Sequence, residues 1–227
     1  IGFNFLKIII KKKYQVVNVD ILNYASNKYV KKIKKKNYSF YKVDINDTKK
    51  ISKIFAKHKI DTVINFAAES HVDNSIKHPN KFVRTNILGT HSLLRCCYNY
   101  WLDKPFTIKK KFKKKCLFVQ VSTDEVYGST LKGKFSEESI LNPNSPYSAS
   151  KAAADHLVNS YNKTFGMPTI ITRCSNNFGP HQHLEKFIPT IINSLIKKKD
   201  IPVYGKGLNI REWIFVDDHC QGILKVI

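Results

Sequence analysis

The sequence predicts an α/β fold built on one doubly wound parallel sheet. Two observations carry that reading. Short apolar runs alternate with amphipathic stretches of about ten residues or more, the pattern of βαβ units. Two of those runs, Asp61-Thr-Val-Ile-Asn-Phe66 and Cys116-Leu-Phe-Val-Gln-Val121, read as buried strands, the second apolar at all positions but Gln120, as strands covered on both faces are.

The elements follow in order. A helical pattern from Phe3 to Lys13 precedes a short strand, Gln15-Val-Val-Asn-Val-Asp20, which ends in an acid. After a lysine-rich loop, a strand is predicted at Phe40 to Val43 and a helix at Asp47 to His58. The buried strand at Asp61 to Phe66 leads to a long helix, Asn80 to Trp101, started by Pro79, whose fixed φ suits a first helical turn. A basic insertion, Asp103 to Lys115, separates it from the strand at Cys116 to Val121. A polar loop then leads to a helix at Pro146 to Phe165, a strand at Thr169 to Thr172 and a helix at Phe187 to Lys197. No internal repeat is apparent.

With 227 residues, 42 % apolar and 25 % charged, the chain is long enough for one sizeable core and has the composition of a globular protein. No apolar run approaches the roughly 20 residues of a membrane span, so a soluble, cytoplasmic protein is expected. Lys and Arg number 39 against 17 Asp and Glu, a formal net charge of +22. The excess sits in lysine runs at Lys11 to Lys13, Lys31 to Lys36, Lys109 to Lys115 and Lys197 to Lys199. Arginine, the residue suited to base and phosphate recognition, is scarce. These runs read as solvated helix ends and loops, and nucleic acid is not expected as a main partner. The five cysteines form no C-x-x-C pair and no zinc spacing, so neither a metal nor a disulfide framework is expected.

In an open parallel sheet, ligands bind beyond the carboxyl ends of the strands. Here those ends carry Asp20, Asp44-Ile45, Ala67-Ala-Glu-Ser-His71, Ser122-Thr-Asp-Glu125 and Ser175-Asn-Asn177. Tyr147-Ser-Ala-Ser-Lys151 places a phenol and an ammonium on one face of a helix. A nearby ammonium favours phenolate, so Lys151 is expected to lower the Tyr147 pKa. At the amino end, Gly2 suits the last glycine of a G-x-G-x-x-G turn, and Asp20 lies near the distance where a carboxylate bonds an adenosine ribose. The first strand and the two earlier glycines are missing and the chain does not begin with Met, so it reads as a fragment, expected to bind NAD weakly as given.

Six motifs together carry a resemblance. They are Ala67-Ala-Glu-Ser-His-Val-Asp73, Thr85-Asn86, Val121-Ser-Thr-Asp-Glu-Val-Tyr-Gly128, Ser145-Pro-Tyr-Ser-Ala-Ser-Lys151, Arg173-Cys-Ser-Asn-Asn-Phe-Gly-Pro180 and Tyr204-Gly-Lys-Gly-Leu-Asn-Ile-Arg-Glu-Trp213. The chain resembles, over essentially its whole length, the dTDP-glucose 4,6-dehydratase family of extended short-chain dehydrogenases/reductases. Members are longer at both ends. The resemblance implies a Rossmann-like NAD-binding domain over 1–180 and the start of a small C-terminal substrate-binding subdomain over 181–227, with return to the first. Where the family usually reads His-Val-Asp-Arg-Ser, this chain has Asn74.

The resemblance implies catalytic roles for Thr123, Asp124, Glu125, Tyr147 and Lys151. It implies NAD contacts from Gly2, Asp20, Asn23, Asp44, Ile45, Ala67, Ala68, Ser70, Thr85, Tyr147, Lys151 and Asn177. It implies substrate contacts from His71, Thr123, Asn176, Lys186, Pro202, Tyr204 and Arg211, with dTDP-glucose as substrate. Tyr147, Lys151 and Thr123 serve hydride transfer at C4, Glu125 removes the C5 proton and Asp124 protonates the departing C6 hydroxyl. Related 4-epimerases carry small or neutral residues at the two acid positions, and dehydration needs both an acid and a base. The bland alternatives are a loop cap at His71, a turn at Asn176, a surface cation at Arg211 and a structural role for His181 and His183. A dehydratase or epimerase acting on UDP-glucose or GDP-mannose, a basic nucleic-acid-binding protein on the same scaffold and an inactive remnant stay open. The helices at Asn80 to Trp101 and Pro146 to Phe165 resemble the pair through which family members form homodimers.

Overall fold

The computed structural model describes residues 1–227 except Lys114 and Tyr204. Its strands are β1 (Val16–Asp20), β2 (Tyr38–Lys42), β3 (Thr62–Asn65), β4 (Leu102–Lys104), β5 (Thr107–Ile108), β6 (Leu117–Thr123), β7 (Thr169–Cys174), β8 (Asn176–Phe178) and β9 (Trp213–Phe215). Its α-helices are α1 (Gly2–Ile9), α2 (Thr48–His58), α3 (Val72–Lys77), α4 (Pro79–Phe82), α5 (Gly89–Trp101), α6 (Pro146–Phe165), α7 (Phe187–Ile196) and α8 (Val216–Val226).

The main strands pair in parallel, in the order β3-β6-β7, with β1 and β2 a separate parallel pair. This is the predicted α/β arrangement. The register sets Ser122 and Thr123 at the end of β6 beside Arg173 and Cys174 at the end of β7, so the polar ends of both strands open on one side. β8 pairs in parallel with β9, so the 181–212 stretch leaves and returns at neighbouring strands.

Capping explains the helix starts. The Asp47 side chain accepts the Lys50 N–H at the head of α2. Ser145 and Ser148 form a reciprocal capping box at the head of α6, followed by Pro146, and α6 ends at Gly166 with φ +66°. The predicted helix at Asn80 to Trp101 is a continuous path of α4, a π-helical segment at Val83–Leu88 and α5. The predicted helix from Phe3 ends at Ile9, because Lys11 to Lys13 are solvated cations with no apolar face to bury.

Between sheet and helices lie Trp101, Leu94, Phe118, Val158 and Met167, all buried. The Trp101 indole N–H donates to Ile60 O at 2.8 Å. On the other side Phe5, Leu6 and Ile9 of α1 pack with Val216, Cys220 and Ile223 of α8 and with Val121. The basic block has structure of its own: β4 and β5 make a hairpin, Phe112 is buried, and Lys109 Nζ donates to the carbonyls of Asn99 (2.8 Å) and Tyr100 (3.2 Å) at the end of α5. Lysine there caps a helix C-terminus, where its charge complements the dipole.

Candidate active site

β6 delivers the central residues. The Thr123 hydroxyl ends the strand, accepting the Glu125 N–H at 3.3 Å and donating to Asp124 Oδ1 at 3.2 Å, and so starts a short helical turn at Asp124–Tyr127. The turn ends at Gly128, whose φ is +85°. The loop returns beneath it, with the Asn142 N–H donating to Val126 O at 3.0 Å. A Cβ at position 128 would collide with the Asn142 carbonyl oxygen, a backbone atom that cannot swing aside. Gly128→Ala is therefore expected to destabilise by about 2 kcal/mol through strain and collision, a fall of roughly 4–8 °C in Tm by calorimetry. An unchanged Tm would show that the loop yields freely.

Burial pushes both carboxyls of the turn above their ordinary pKa. For Asp124, hydrogen bonds from Thr123 and backbone N–H groups oppose the effect, followed by the charge of Arg211. For Glu125, the charge of Asp124 adds to it, while Lys186 and Arg211 both oppose it. Two cations thus act on Glu125 and one on Asp124, which separates the two acids electrostatically.

Tyr147 opens α6 and is buried against the edge of Phe82, with ring centroids 6.3 Å apart. The expected lowering of its pKa is not what the structure gives. Burial and the facing Glu125 charge push the phenol up, with a Thr123 hydrogen bond as a smaller opposing pull. Lys151 does not offset this, since its ammonium is turned to the Val121 carbonyl at 2.7 Å. Burial lowers Lys151 to about 8. Of its three N–H donors one is spent, and a desolvated ammonium with two unspent donors suits a ligand carrying a pair of hydroxyls.

The positions read as cofactor contacts are spread over strand ends, the loops that follow them and helix starts. Gly2 starts α1 so close to Phe66 that a Cβ would stand 3.3 Å from that residue's Cβ. Asp20 ends β1, its Oδ1 accepting the Leu22 N–H at 2.6 Å and the Ser26 hydroxyl at 2.8 Å. Asn23 Nδ2 donates to Glu69 Oε1 at 3.1 Å. Asp44 is committed within the chain to Asn46 and Arg84, and Ile45 packs in the core against Gly89. The Ala67 N–H donates to Asn65 Oδ1, Ala68 and Thr85 are half-buried, and Ser70 O accepts from Lys186 Nζ at 2.6 Å. Asn177 Oδ1 meets His219 Nδ1 at 2.8 Å.

Of the positions read as substrate contacts, Lys186 and Arg211 act on the carboxyls. Asn176 Nδ2 donates to Glu212 O at 3.3 Å, and Pro202 is exposed. His71 caps α3, its Nδ1 accepting the Asn74 N–H at 3.3 Å, which is the bland alternative weighed above. Tyr204 lies outside the described residues. His183 lies 3.5 Å from Glu185, and among the described residues no cluster suited to a metal occurs.

Two features escaped the sequence reading. Asn86, 1 % exposed, ties the loop after β3 to α6: its Oδ1 accepts the Glu69 N–H at 2.9 Å, while Nδ2 donates to Glu69 O at 3.0 Å and Ser150 Oγ at 2.8 Å. The pair Thr85-Asn86 had been noted as a motif, but nothing in sequence told that Asn86 would be buried. The other is a buried ion pair, Asp155 with Arg173 at 2.9 Å.

A parallel sheet with Thr123 at the end of β6, beside Tyr147 and Lys151 on α6, defines an extended short-chain dehydrogenase/reductase with a Rossmann-like fold. Residues 1–227 match the family described as GDP-mannose 4,6 dehydratase, and the chain belongs to that family. It is 44 % identical over 230 residues to the dTDP-glucose 4,6-dehydratase of Xanthomonas campestris pv. campestris strain B100, covering 100 % of this chain and 64 % of that one. The chain thus spans slightly under two thirds of that relative's length. A crystal structure of dTDP-glucose 4,6-dehydratase from Streptomyces venezuelae with NAD and TYD bound superposes with a TM-score of 0.89 at 38 % identity, over 99 % of this chain and 68 % of that one. UDP-glucuronic acid 4-epimerase from Bacillus cereus, in complex with UDP-glucuronic acid and NAD, superposes at 0.86 but is 27 % identical, over 100 % and 69 %. Among the described residues no helix is long and apolar enough to cross a membrane.

Proposed function

We propose that this chain carries the catalytic centre of an NAD-dependent dTDP-glucose 4,6-dehydratase, a hydro-lyase that makes dTDP-4-dehydro-6-deoxy-glucose. The observation that supports it best is the pair of desolvated carboxyls, Asp124 and Glu125, beside the buried Tyr147. An epimerase has no need of such a pair, since it only oxidises and re-reduces C4. The higher identity to dehydratases than to the epimerase favours the same reading.

The residues suit NAD. Lys151 has two N–H donors left without a partner among the described residues and available to a ribose diol, Asp20 ends β1 where the adenosine ribose of such folds lies, and Gly2 begins α1 where even a Cβ would crowd Phe66. When bound, NAD would supply a hydride acceptor at C4 and, once reduced, a hydride donor at C6.

Tyr147 is placed to take the O4 proton as a phenolate, after its own proton has passed to solvent; burial opposes that anion and the Thr123 hydrogen bond supports it. The C4 ketone acidifies C5. Glu125, whose charged form Lys186 and Arg211 favour against the effect of burial, removes the C5 proton while Asp124 gives a proton to the C6 hydroxyl, which leaves as water. Arg211 and Lys186 also provide the positive charge that a diphosphate needs.

We further read 1–180 as the cofactor domain and 181–227 as part of the sugar-nucleotide domain, with α5 and α6 as the face of a homodimer in a cytoplasmic enzyme. Incubation with dTDP-glucose and NAD is expected to give a sugar nucleotide lighter by one water in mass spectrometry. Product from UDP-glucose or GDP-mannose instead would transfer the reading to another nucleotide sugar, and an isomer of unchanged mass would sink it in favour of epimerisation.

A further inference from the structure

Lys151 and Asp155 lie one turn apart on the same face of α6, and both are inside the protein, 4 % and 0 % exposed. A buried carboxylate so close to the site is destabilising unless it is paired and used. Its pairing is well defined. Arg173, on β7, donates Nε to Asp155 Oδ2 at 2.9 Å and Nη1 to the Tyr127 hydroxyl at 2.9 Å. The guanidinium also stands over the Tyr127 ring, 5.2 Å from its centroid. Tyr127 ends the turn that holds Asp124 and Glu125, so one guanidinium joins α6, β7 and the acid-bearing segment.

That clamp uses only one oxygen. Asp155 Oδ1 and Ser122 Oγ, both shielded from solvent, have no well-formed hydrogen-bond partner among the described residues, and the Ser122 hydroxyl stands close enough to favour the charged carboxylate. The groups acting on Lys151 are Asp155 from α6 and Cys174 from β7, with the neutral Val121 carbonyl from β6. Those acting on Asp155 are Arg173, Ser122 and Lys151. Cys174 is itself pushed up to about 11 by burial and stays a neutral thiol near neutral pH. Asp155 is thus the anion that Lys151 faces.

We propose that Asp155 is a positioning residue for Lys151, a carboxylate anchored by Arg173 to the acid-bearing turn that keeps the ammonium charged and in place beneath the reaction site. It touches neither sugar nor cofactor. The inference rests on the proposed function only for the importance of Lys151, because the coupling itself is a property of the free chain.

The test is a pH titration of ε-carbon-labelled lysine by NMR, with the Lys151 resonance identified by its loss in Lys151→Met. The parent midpoint is expected at about 8. In Asp155→Asn, which keeps shape and removes charge, it is expected to fall by about one pH unit, a tenfold loss of proton affinity. Should that variant fold poorly because Arg173 is left unpaired, Asp155→Asn combined with Arg173→Gln removes both charges of the pair and is expected to show a smaller fall in the same direction, since loss of the Arg173 cation itself favours the ammonium. An unchanged or higher midpoint in either folded variant overturns the proposal, because a merely structural Asp155 would leave it unmoved. A lowered midpoint in a chain that fails to dehydrate any nucleotide sugar would uphold Asp155 and reject the dehydratase reading. An unmoved midpoint in an active chain would do the reverse.

Discussion

Glu125→Gln is expected to lower the rate of water loss from dTDP-glucose by about 100- to 10,000-fold, the usual worth of a positioned general base. The substitution keeps size and removes the carboxylate assigned to take the C5 proton. Stability gives a sign check on the cause. Burial and the neighbouring Asp124 raise the Glu125 pKa above its ordinary value. A carboxyl whose folded pKa is raised favours folding below its unfolded pKa, and that contribution is lost as pH rises through the folded pKa. At neutral pH the charged carboxylate is therefore a burden on the fold, and Glu125→Gln should be at least as stable as the parent. A variant that is inactive yet no less stable has lost chemistry rather than structure. Asp124→Asn separates the two acids further. In deuterated water, Glu125→Gln should lose exchange at C5 together with dehydration, whereas Asp124→Asn should lose dehydration and keep the exchange. Full exchange in Glu125→Gln would remove Glu125 from the role of base. The same raised pKa places the acid limb of the activity profile above the ordinary carboxylate range, since the base is protonated earlier as pH falls.

Much of this site could be read from residue order because strand ends in a parallel sheet are also sequence landmarks. The apolar run through Val121 predicts where β6 stops, and the polar Ser122-Thr-Asp-Glu125 that follows must then sit at the ligand-binding edge. Helix α6 was predicted to its bounds because Pro146 and Gly166 mark both ends. Charges were harder to read. The spacing of Tyr147 and Lys151 establishes a shared face but not where the ammonium points, and the structure gives it to the Val121 carbonyl. Burial, a long-range property, then outweighs proximity and reverses the direction of the Tyr147 shift. Asp155 and Arg173 are 18 residues apart, and no local pattern says that a helix and the next strand will bury them together. Lys109 looked like one more solvated cation, yet its chain length lets it reach the last carbonyls of α5. In the 181–212 region the apolar run made the helix at Phe187–Ile196 legible, whereas the stretch after it carries no periodic pattern to read.

Lys151→Met is expected to make the protein both inactive and more stable. The ammonium is buried, with a pKa lowered from 10.5 to about 8. At 1.36 kcal/mol per unit, its charged form opposes folding by about 3 kcal/mol near pH 7. Met fills similar volume without charge. It forfeits the bond to Val121 O, worth about 1 kcal/mol, which leaves a net gain of about 2 kcal/mol and a rise of roughly 4–8 °C in Tm. The pH dependence identifies the cause. For a lysine whose folded pKa is lowered, the unfolded chain binds more protons between the two values, so parent stability rises with pH across that interval. The advantage of Lys151→Met should be full below pH 8 and shrink steadily towards pH 10.5. Denaturant titrations of both proteins at several pH values provide the measurement. A variant less stable than the parent at pH 7, or a gap that ignores pH, would show that Lys151 is held for packing and not kept against the interests of the fold for the sake of the reaction.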